Sequence, residues 1–208
     1  ALTGTDGRVV GVRGSVLGLA GEPLGGVPLA LEQAPDVELG RSRPDGAFEL
    51  ELRGPLAGGW KGSCLVVPDA RFALVRTSCV REEERPLLVV LAPALDLGGR
   101  VVDDQGAPLE EVDRRIESGP MLFSGFTQVL DQTSDVESWS TTTDASGRFS
   151  LARCPGSAAF VLAAYAPGFL PRRTPLPQSP RSDLEIVLAR DPQAGDCTVA
   201  GRVLRADG

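Results

Sequence analysis

The chain contains no histidine among its 208 residues. Histidine completes Ser-His-Asp and Cys-His catalytic groups and most catalytic zinc sites, so none of these can be assembled here. The chain also has no asparagine, which removes N-glycosylation sequons, and only one lysine, Lys61. We therefore predict a protein that is not an enzyme, with no catalytic residues, no metal site and no cofactor.

Clustered basic charge is also missing. Lysine and arginine number 21 against 28 acidic residues, a net charge of −7, and the arginines are scattered. The pairs Arg114–Arg115 and Arg172–Arg173 are expected on solvated loops. A phosphate backbone requires a concentrated basic face, so we predict no nucleic-acid partner. An apolar run of roughly 18 residues is absent as well, which predicts no membrane insertion.

Glycine and proline, in contrast, are abundant, at 25 and 17 residues, and they mark a repeated pattern. One copy covers residues 14–27, a second covers residues 99–112, and a third begins at Gly201 before the sequence stops at Gly208. Each copy has alternating apolar residues, a glycine-rich turn and a second apolar stretch, which predicts strand, turn and strand. We therefore expect a tandem array cut from a longer protein.

A second signature comes later in each copy, at residues 44–50 and 144–151. Both contain a turn sequence with glycine and aspartate, followed by Phe-x-Leu. The turns are predicted to close hairpins. Phe48 and Leu50 should face the core on one side of the strand, with Glu49 on the other.

The motifs Gly-x-Val, Gly-x-Pro-Leu-x-x-Val and Asp-x-x-Gly-x-Phe-x-Leu resemble the carboxypeptidase regulatory-like (transthyretin-like or prealbumin-like) β-sandwich. The resemblance covers roughly residues 12–91 and 97–189. It implies an all-β chain of two tandem Ig-like/transthyretin-like antiparallel β-sandwiches. Their predicted bounds are 1–93 and 94–190, with 191–208 as the start of a third repeat or a linking or donor strand. Such modules occur in many unrelated proteins, so the fold does not select a function.

The four cysteines suggest two cross-links. Cys64 and Cys79 lie in adjoining apolar segments, and a bond between them would close a loop of roughly 15 residues, worth about 3 kcal/mol. Cys154 and Cys197 could form a second pair that ties the second unit to the start of the third repeat. Three pairings are open to four cysteines, and the alternative is four buried free thiols in a cytosolic protein.

The second copy carries about 16 more residues than the first, within residues 113–141. Two interpretations compete for this insertion. It is a longer hairpin packed on the sheet edge, or it is a recognition loop that presents Trp139 or Phe126 to a sugar or a peptide. Trp60, which lies among glycines, has the same two interpretations.

These observations favour a non-enzymatic spacer, stalk or assembly module of a longer secreted or cell-surface protein. Its partners would be other proteins or neighbouring repeats, and the short link of residues 92–96 would hold the two units end to end. One alternative is an accessory module that binds carbohydrate or protein for an attached enzyme. Another is a filament or lattice subunit, in which residues 198–208 complete a neighbour's sheet.

Overall fold

The computed structural model describes residues 9–53, 62–79, 86–118 and 139–194. All regular secondary structure in these residues is β-strand, which confirms the all-β class. No helix long and apolar enough to cross a membrane occurs in these four ranges.

Seven strands make up the first part of the chain. They are β1 Val9–Gly18, β2 Pro28–Leu31, β3 Gly40–Arg41, β4 Ala47–Arg53, β5 Leu65–Val66, β6 Phe72–Thr77 and the long β7 Leu87–Asp103. The start of β7 pairs in parallel with β1 and antiparallel with β6, and β1 also pairs antiparallel with β4. Strand β2 pairs with β3 and β5 in a smaller sheet.

The remaining strands are β8 Asp113–Ser118, β9 Ser140–Thr142, β10 Arg148–Pro155, β11 Phe160–Tyr165, β12 Arg172–Pro175 and β13 Arg181–Leu188. The end of β7 pairs antiparallel with β10 and in parallel with β13. A separate sheet has the order β12, β11, β8, β9. We call the strands before and after the middle of β7 the N-terminal and C-terminal halves.

Each half encloses an apolar core. The N-terminal core includes Val16, Leu29, Phe48, Leu50 and Leu65, all exposed by 1% or less. The C-terminal core contains Leu97, Phe149, Leu151, Phe160, Leu162 and Leu188. Burying apolar side chains between two sheets is the main force that holds such sandwiches together.

Strand β7 belongs to both halves. Its first six residues, 87–92, are buried on both faces. Alternate residues pack into the N-terminal core, and the others join the buried cluster that contains the C-terminal core. The predicted short link of residues 92–96 is therefore continuous strand. The division of the chain at residues 93 and 94 stays a prediction.

The two turns predicted from the Phe-x-Leu signature form, but they do not close hairpins. Gly46 and Gly147 have φ angles of 77° and 72°, which glycine adopts without strain. Asp144 accepts hydrogen bonds at Oδ1 from the backbone N–H groups of Ser146 and Arg148, both at 2.9 Å. Strands β3 and β9 pair within the small sheets, whereas β4 and β10 pair within the large one. Each turn therefore carries the chain from a small sheet to the large sheet. The Phe-x-Leu side chains that follow the turn are buried in the core.

In the first copy of the repeat, the buried hydroxyl group of Ser42 connects two backbone groups of the preceding turn. Ser42 is 5% exposed, and its Oγ accepts a hydrogen bond from Val27 N at 3.0 Å and donates one to Leu24 O at 2.6 Å. A buried N–H group and a partly buried carbonyl are thereby satisfied, which avoids the cost of burying them without partners.

Thr143 does the same in the second copy. Its Oγ1 accepts from Val112 N at 2.9 Å and donates to Leu109 O at 2.6 Å. Val27 and Ser42 are 15 positions apart in the first copy, whereas Val112 and Thr143, which make the same hydrogen bond in the second copy, are 31 apart. The insertion therefore lies between Val112 and Thr143. Its central residues, 119–138, lie outside the described ranges.

Replacing Gly99 with alanine should destabilise the C-terminal half. A Cβ at this position would overlap the carbonyl oxygen of Leu184 on the neighbouring β13, and backbone cannot move aside cheaply. We expect Gly99→Ala to lower the free energy of unfolding by about 1–3 kcal/mol in chemical denaturation. The matched control is Gly98→Ala. The new Cβ would have its nearest neighbours at 3.5 Å, so this substitution should be tolerated. Equal losses from both substitutions would contradict this close approach.

Cys64 and Cys79 are joined by a disulfide, the first of the two pairings considered from the sequence. They lie opposite each other across an antiparallel bridge. Cys154 is a buried free thiol, which differs from its predicted pairing with Cys197. Its side chain points into the C-terminal core, and burial raises the pKa of the thiol to about 12. Cys197 lies outside the described residues.

Candidate functional site at the junction of the two halves

A β-bulge in β10 marks the junction. Leu151 pairs with Leu97 and Cys154 pairs with Leu95, so two residues of β10 lie opposite the single residue Asp96. The second of the two, Arg153, has a φ of 52°, an uncommon backbone conformation for a residue with a side chain. Bulges redirect side chains, and this one turns Arg153 toward the N-terminal half.

The guanidinium group of Arg153 bridges the two halves. Its Nη2 lies 3.2, 3.3 and 3.0 Å from the carbonyl oxygens of Val67, Asp69 and Phe72 and donates to them. The backbone N–H of Arg153 donates to Asp96 Oδ1 at 2.9 Å, which holds the bulge in place. One residue thus ties the loop before β6 to the edge of the C-terminal sheet.

Trp139 holds the backbone of Arg153 in place through a hydrogen bond. Its indole Nε1–H donates to Arg153 O at 2.9 Å, and its ring meets Phe160 edge to face, with centroids 6.2 Å apart. The side chain is only 8% exposed. The exposed tryptophan required by the recognition-loop interpretation is therefore not found at this position, because the ring packs in the C-terminal core. The other two predicted ligand contacts, Trp60 and Phe126, lie outside the described residues.

A cleft of about 440 Å³ lies beside this junction. Residues from both halves line it: Glu32, Pro35, Val66, Val67, Pro68, Ala73 and Leu74 from the first, and Trp139, Ala152 and Arg153 from the second. A second cleft of about 490 Å³ adjoins it and shares Pro35 and Pro68 as walls. We call the two adjoining clefts together the junction groove.

Arg153 was not among the site residues predicted from the sequence, although a signal for it exists. In the first copy the buried residues Phe48, Leu50 and Leu52 alternate strictly along β4. In the second copy Phe149 and Leu151 are followed by Cys154, so the period of two breaks by one residue. Such a break is typical of a bulge. The partner of the redirected side chain is far along the chain and has no sequence signal.

Arg114 is a buried charged residue, contrary to the prediction from the sequence. It was expected on a solvated loop, but it lies on β8 and is 0% exposed. The strand alternation turns it inward while Arg115 faces solvent, and its guanidinium lies 3.4 Å from the centroid of the Phe149 ring. None of its three side-chain nitrogens has a hydrogen-bond partner among the residues that the structure describes. Burial lowers the pKa of Arg114 to about 10, with a smaller opposing effect from Asp113.

Among the described residues, no group of three or more histidine, cysteine, aspartate or glutamate side chains is placed to hold a metal ion. The aspartates of the glycine turns have structural partners instead. Asp103 Oδ1, for example, accepts from the backbone N–H groups of Gln105 and Ala107 at 3.0 and 2.8 Å. This is the turn-capping role that short acidic side chains commonly have.

Comparison with known proteins gives no family model and no curated relative that matches the chain. Distant similarity to solved structures is present. A streptococcal ancillary pilin is 15% identical over 91% of this chain and 64% of its own, with a TM-score of 0.35. The shaft pilin SpaA from Lactobacillus rhamnosus GG is 11% identical over 88% and 98%, with a TM-score of 0.33.

A 3-chlorocatechol 1,2-dioxygenase from Rhodococcus opacus 1CP is 16% identical over 48% of this chain and 60% of its own, with a TM-score of 0.36. The chain thus spans less than two thirds of the dioxygenase and of the streptococcal pilin. Similarity at this level identifies no family. The carboxypeptidase regulatory-like assignment from the motifs stays a prediction, and the all-β architecture rests on the chain's own strands.

Proposed function

We propose that the chain is a non-enzymatic, rigid spacer or assembly module of a longer secreted or cell-surface protein. The observation that supports this is the continuous strand β7, which pairs on both sides in each half. Bending the chain at residues 92–96 would break hydrogen bonds of a paired strand and separate residues that share one buried cluster. A flexible tether has neither constraint, so the junction is suited to holding two units at a fixed angle.

The disulfide supports a location outside the cytoplasm. Bonds such as Cys64–Cys79 persist in oxidising compartments and are rare where glutathione keeps thiols reduced. The alternative of four free thiols in a cytosolic protein would require this bond to be absent in the native protein. Free-thiol counting on unfolded, unreduced protein tests the point directly.

Replacing Arg153 tests the rigid junction. We expect Arg153→Ala to broaden the distances between spin labels in the two halves and to lower the free energy of unfolding by about 1–2 kcal/mol, because three carbonyls lose a charged donor. Labels are placed at Glu49→Cys and Glu110→Cys, two exposed positions, in a chain that also carries Cys197→Ser. Pulsed electron spin resonance then measures the distribution.

Arg148→Ala, an exposed position on the same strand, is the control and should leave the narrow distribution of the parent chain unchanged. A broad distribution in the parent would contradict the proposal. Concentration-dependent polymers in light scattering would instead favour the filament alternative, whose donor segment, residues 198–208, lies outside the described residues.

A further inference from the structure

The junction groove has a rigid, apolar wall. Pro35 and Pro68 lie where its two clefts meet, and Val66 and Trp139 line the cleft between the halves. Proline has a fixed backbone and Trp139 is held by its hydrogen bond to Arg153, so this surface is formed before any ligand arrives. Preformed apolar clefts of roughly 300–1,000 Å³ at the boundary between structural units are preferred ligand sites.

The groove is lined by four carboxylates, those of Glu32, Asp36, Glu38 and Asp69, and by two guanidinium groups, those of Arg41 and Arg153, so its overall charge is negative. Two of its carboxylates already have cations: Glu38 pairs with Arg41 at 2.7 Å, and Asp69 pairs with Arg71 at 2.6 Å. Glu32 in one cleft and Asp36 in the other are exposed and have no ion-pair partner among the residues the structure describes.

An exposed apolar residue follows the lining residue Asp36 in the chain. This residue, Val37, is 48% exposed, one of three large apolar side chains exposed to this degree in the described ranges. The groove thus offers apolar contacts beside unpaired negative charge over two adjoining clefts. A compact ligand would fill one cleft, whereas an extended chain can contact both.

We propose that the junction groove binds an extended, basic segment of a partner polypeptide. Its lysine or arginine side chains would pair with Glu32 and Asp36, and the apolar side chains between them would lie against Pro35, Pro68 and Val66. Charge complementarity selects the partner, since an acidic or phosphorylated segment would be repelled by the same carboxylates. This role goes beyond that of a spacer and adds a docking surface at the fixed junction.

The probe is a fluorescein-labelled peptide, Lys-Leu-Pro-Lys-Leu-Pro-Lys, titrated with the full chain at low ionic strength and followed by fluorescence anisotropy. Saturable binding is expected, with an affinity that falls as salt screens the charges. The double variant Glu32→Lys/Asp36→Lys should weaken binding by roughly tenfold or more, as expected when two charge pairs become repulsive. Ala152→Phe, which fills an exposed position in the cleft, should weaken it as well.

The matched control is Glu49→Lys/Glu110→Lys, which changes the net charge equally at exposed positions outside the groove and should bind like the parent chain. Equal loss in both double variants would overturn the proposal, because attraction would then be to the overall negative charge. Equal binding of the peptide with glutamate in place of lysine, or no saturable binding at all, would overturn it too. Circular dichroism of each variant verifies that the strands are intact.

Discussion

Replacing the buried Arg114 with leucine is expected to raise the free energy of unfolding by about 1–4 kcal/mol, the gain seen when buried ionic groups give way to well-packed apolar ones. Most core substitutions destabilise a protein, so the direction of this effect is itself diagnostic. The measurement is chemical denaturation of the parent chain and of Arg114→Leu at neutral pH.

The reason lies in the surroundings of the guanidinium. Arg114 is 0% exposed, and within the described ranges none of its side-chain nitrogens has a hydrogen-bond partner. Stacking on the face of Phe149 returns about 2 kcal/mol, less than the several kcal/mol that removing an ion from water costs. The first copy of the repeat shows the alternative. Leu29 comes two positions after Val27, as Arg114 comes two after Val112, and it is also 0% exposed, within a cluster of buried apolar side chains.

Arg115→Leu provides the control, because Arg115 is an exposed neighbour on the same strand and pairs with Asp113. Exposed pairs contribute about 1 kcal/mol or less, so this variant should be neutral or slightly less stable. A large loss of stability in Arg114→Leu would contradict the interpretation and would show that the native protein supplies a partner for the guanidinium.

The effect of Arg114 should also depend on pH. Its pKa is lower in the folded state than in the unfolded chain, so near pH 10 and above the unfolded state binds more protons. Stability of the parent chain therefore rises with pH in that range, and the destabilising effect is fully present below it. The stability difference between the parent and Arg114→Leu should be constant at neutral pH and narrow as the pH passes about 10.

Removing the disulfide should lower the free energy of unfolding by an amount similar to the increase expected for Arg114→Leu. Cys64 and Cys79 are 15 residues apart, and opening a loop of that size costs about 3 kcal/mol in the chain-entropy model. The bond joins Cys64, directly before β5, to Cys79, two residues after the end of β6. Strand β5 is only two residues long, so few backbone hydrogen bonds hold it otherwise. We expect Cys64→Ser/Cys79→Ser to fold with its midpoint in denaturant shifted down accordingly.

Reductant separates the cross-link from the substitution. Dithiothreitol should lower the stability of the parent chain to that of the double variant and leave the double variant unchanged. Cys154 should not interfere, because burial keeps its thiol protonated at the pH of the experiment. A parent chain that is insensitive to reductant would contradict a stabilising bond.

Local chemistry was predictable from the sequence. The glycines at positions 46 and 147, the aspartate that caps the second turn, and the burial of Phe48 and Leu50 beside an exposed Glu49 are consequences of turn geometry and a period of two. The location of the insertion was predictable too, because the second copy of the pattern is interrupted where the first copy is not. All of these features depend on residues close together in the chain.

Contacts between distant parts of the chain account for the features that were not predictable. Residues 92–96 read as a link, yet both ends of β7 find partners, which turns the link into strand. Arg114 reads as surface, yet its register on β8 turns it onto Phe149. Arg153 acquires its role from three carbonyls more than 80 positions earlier in the chain. Turns and alternation can be predicted from sequence because they obey nearest-neighbour sterics, whereas strand partners, burial and the junction depend on residues that meet only in the folded chain.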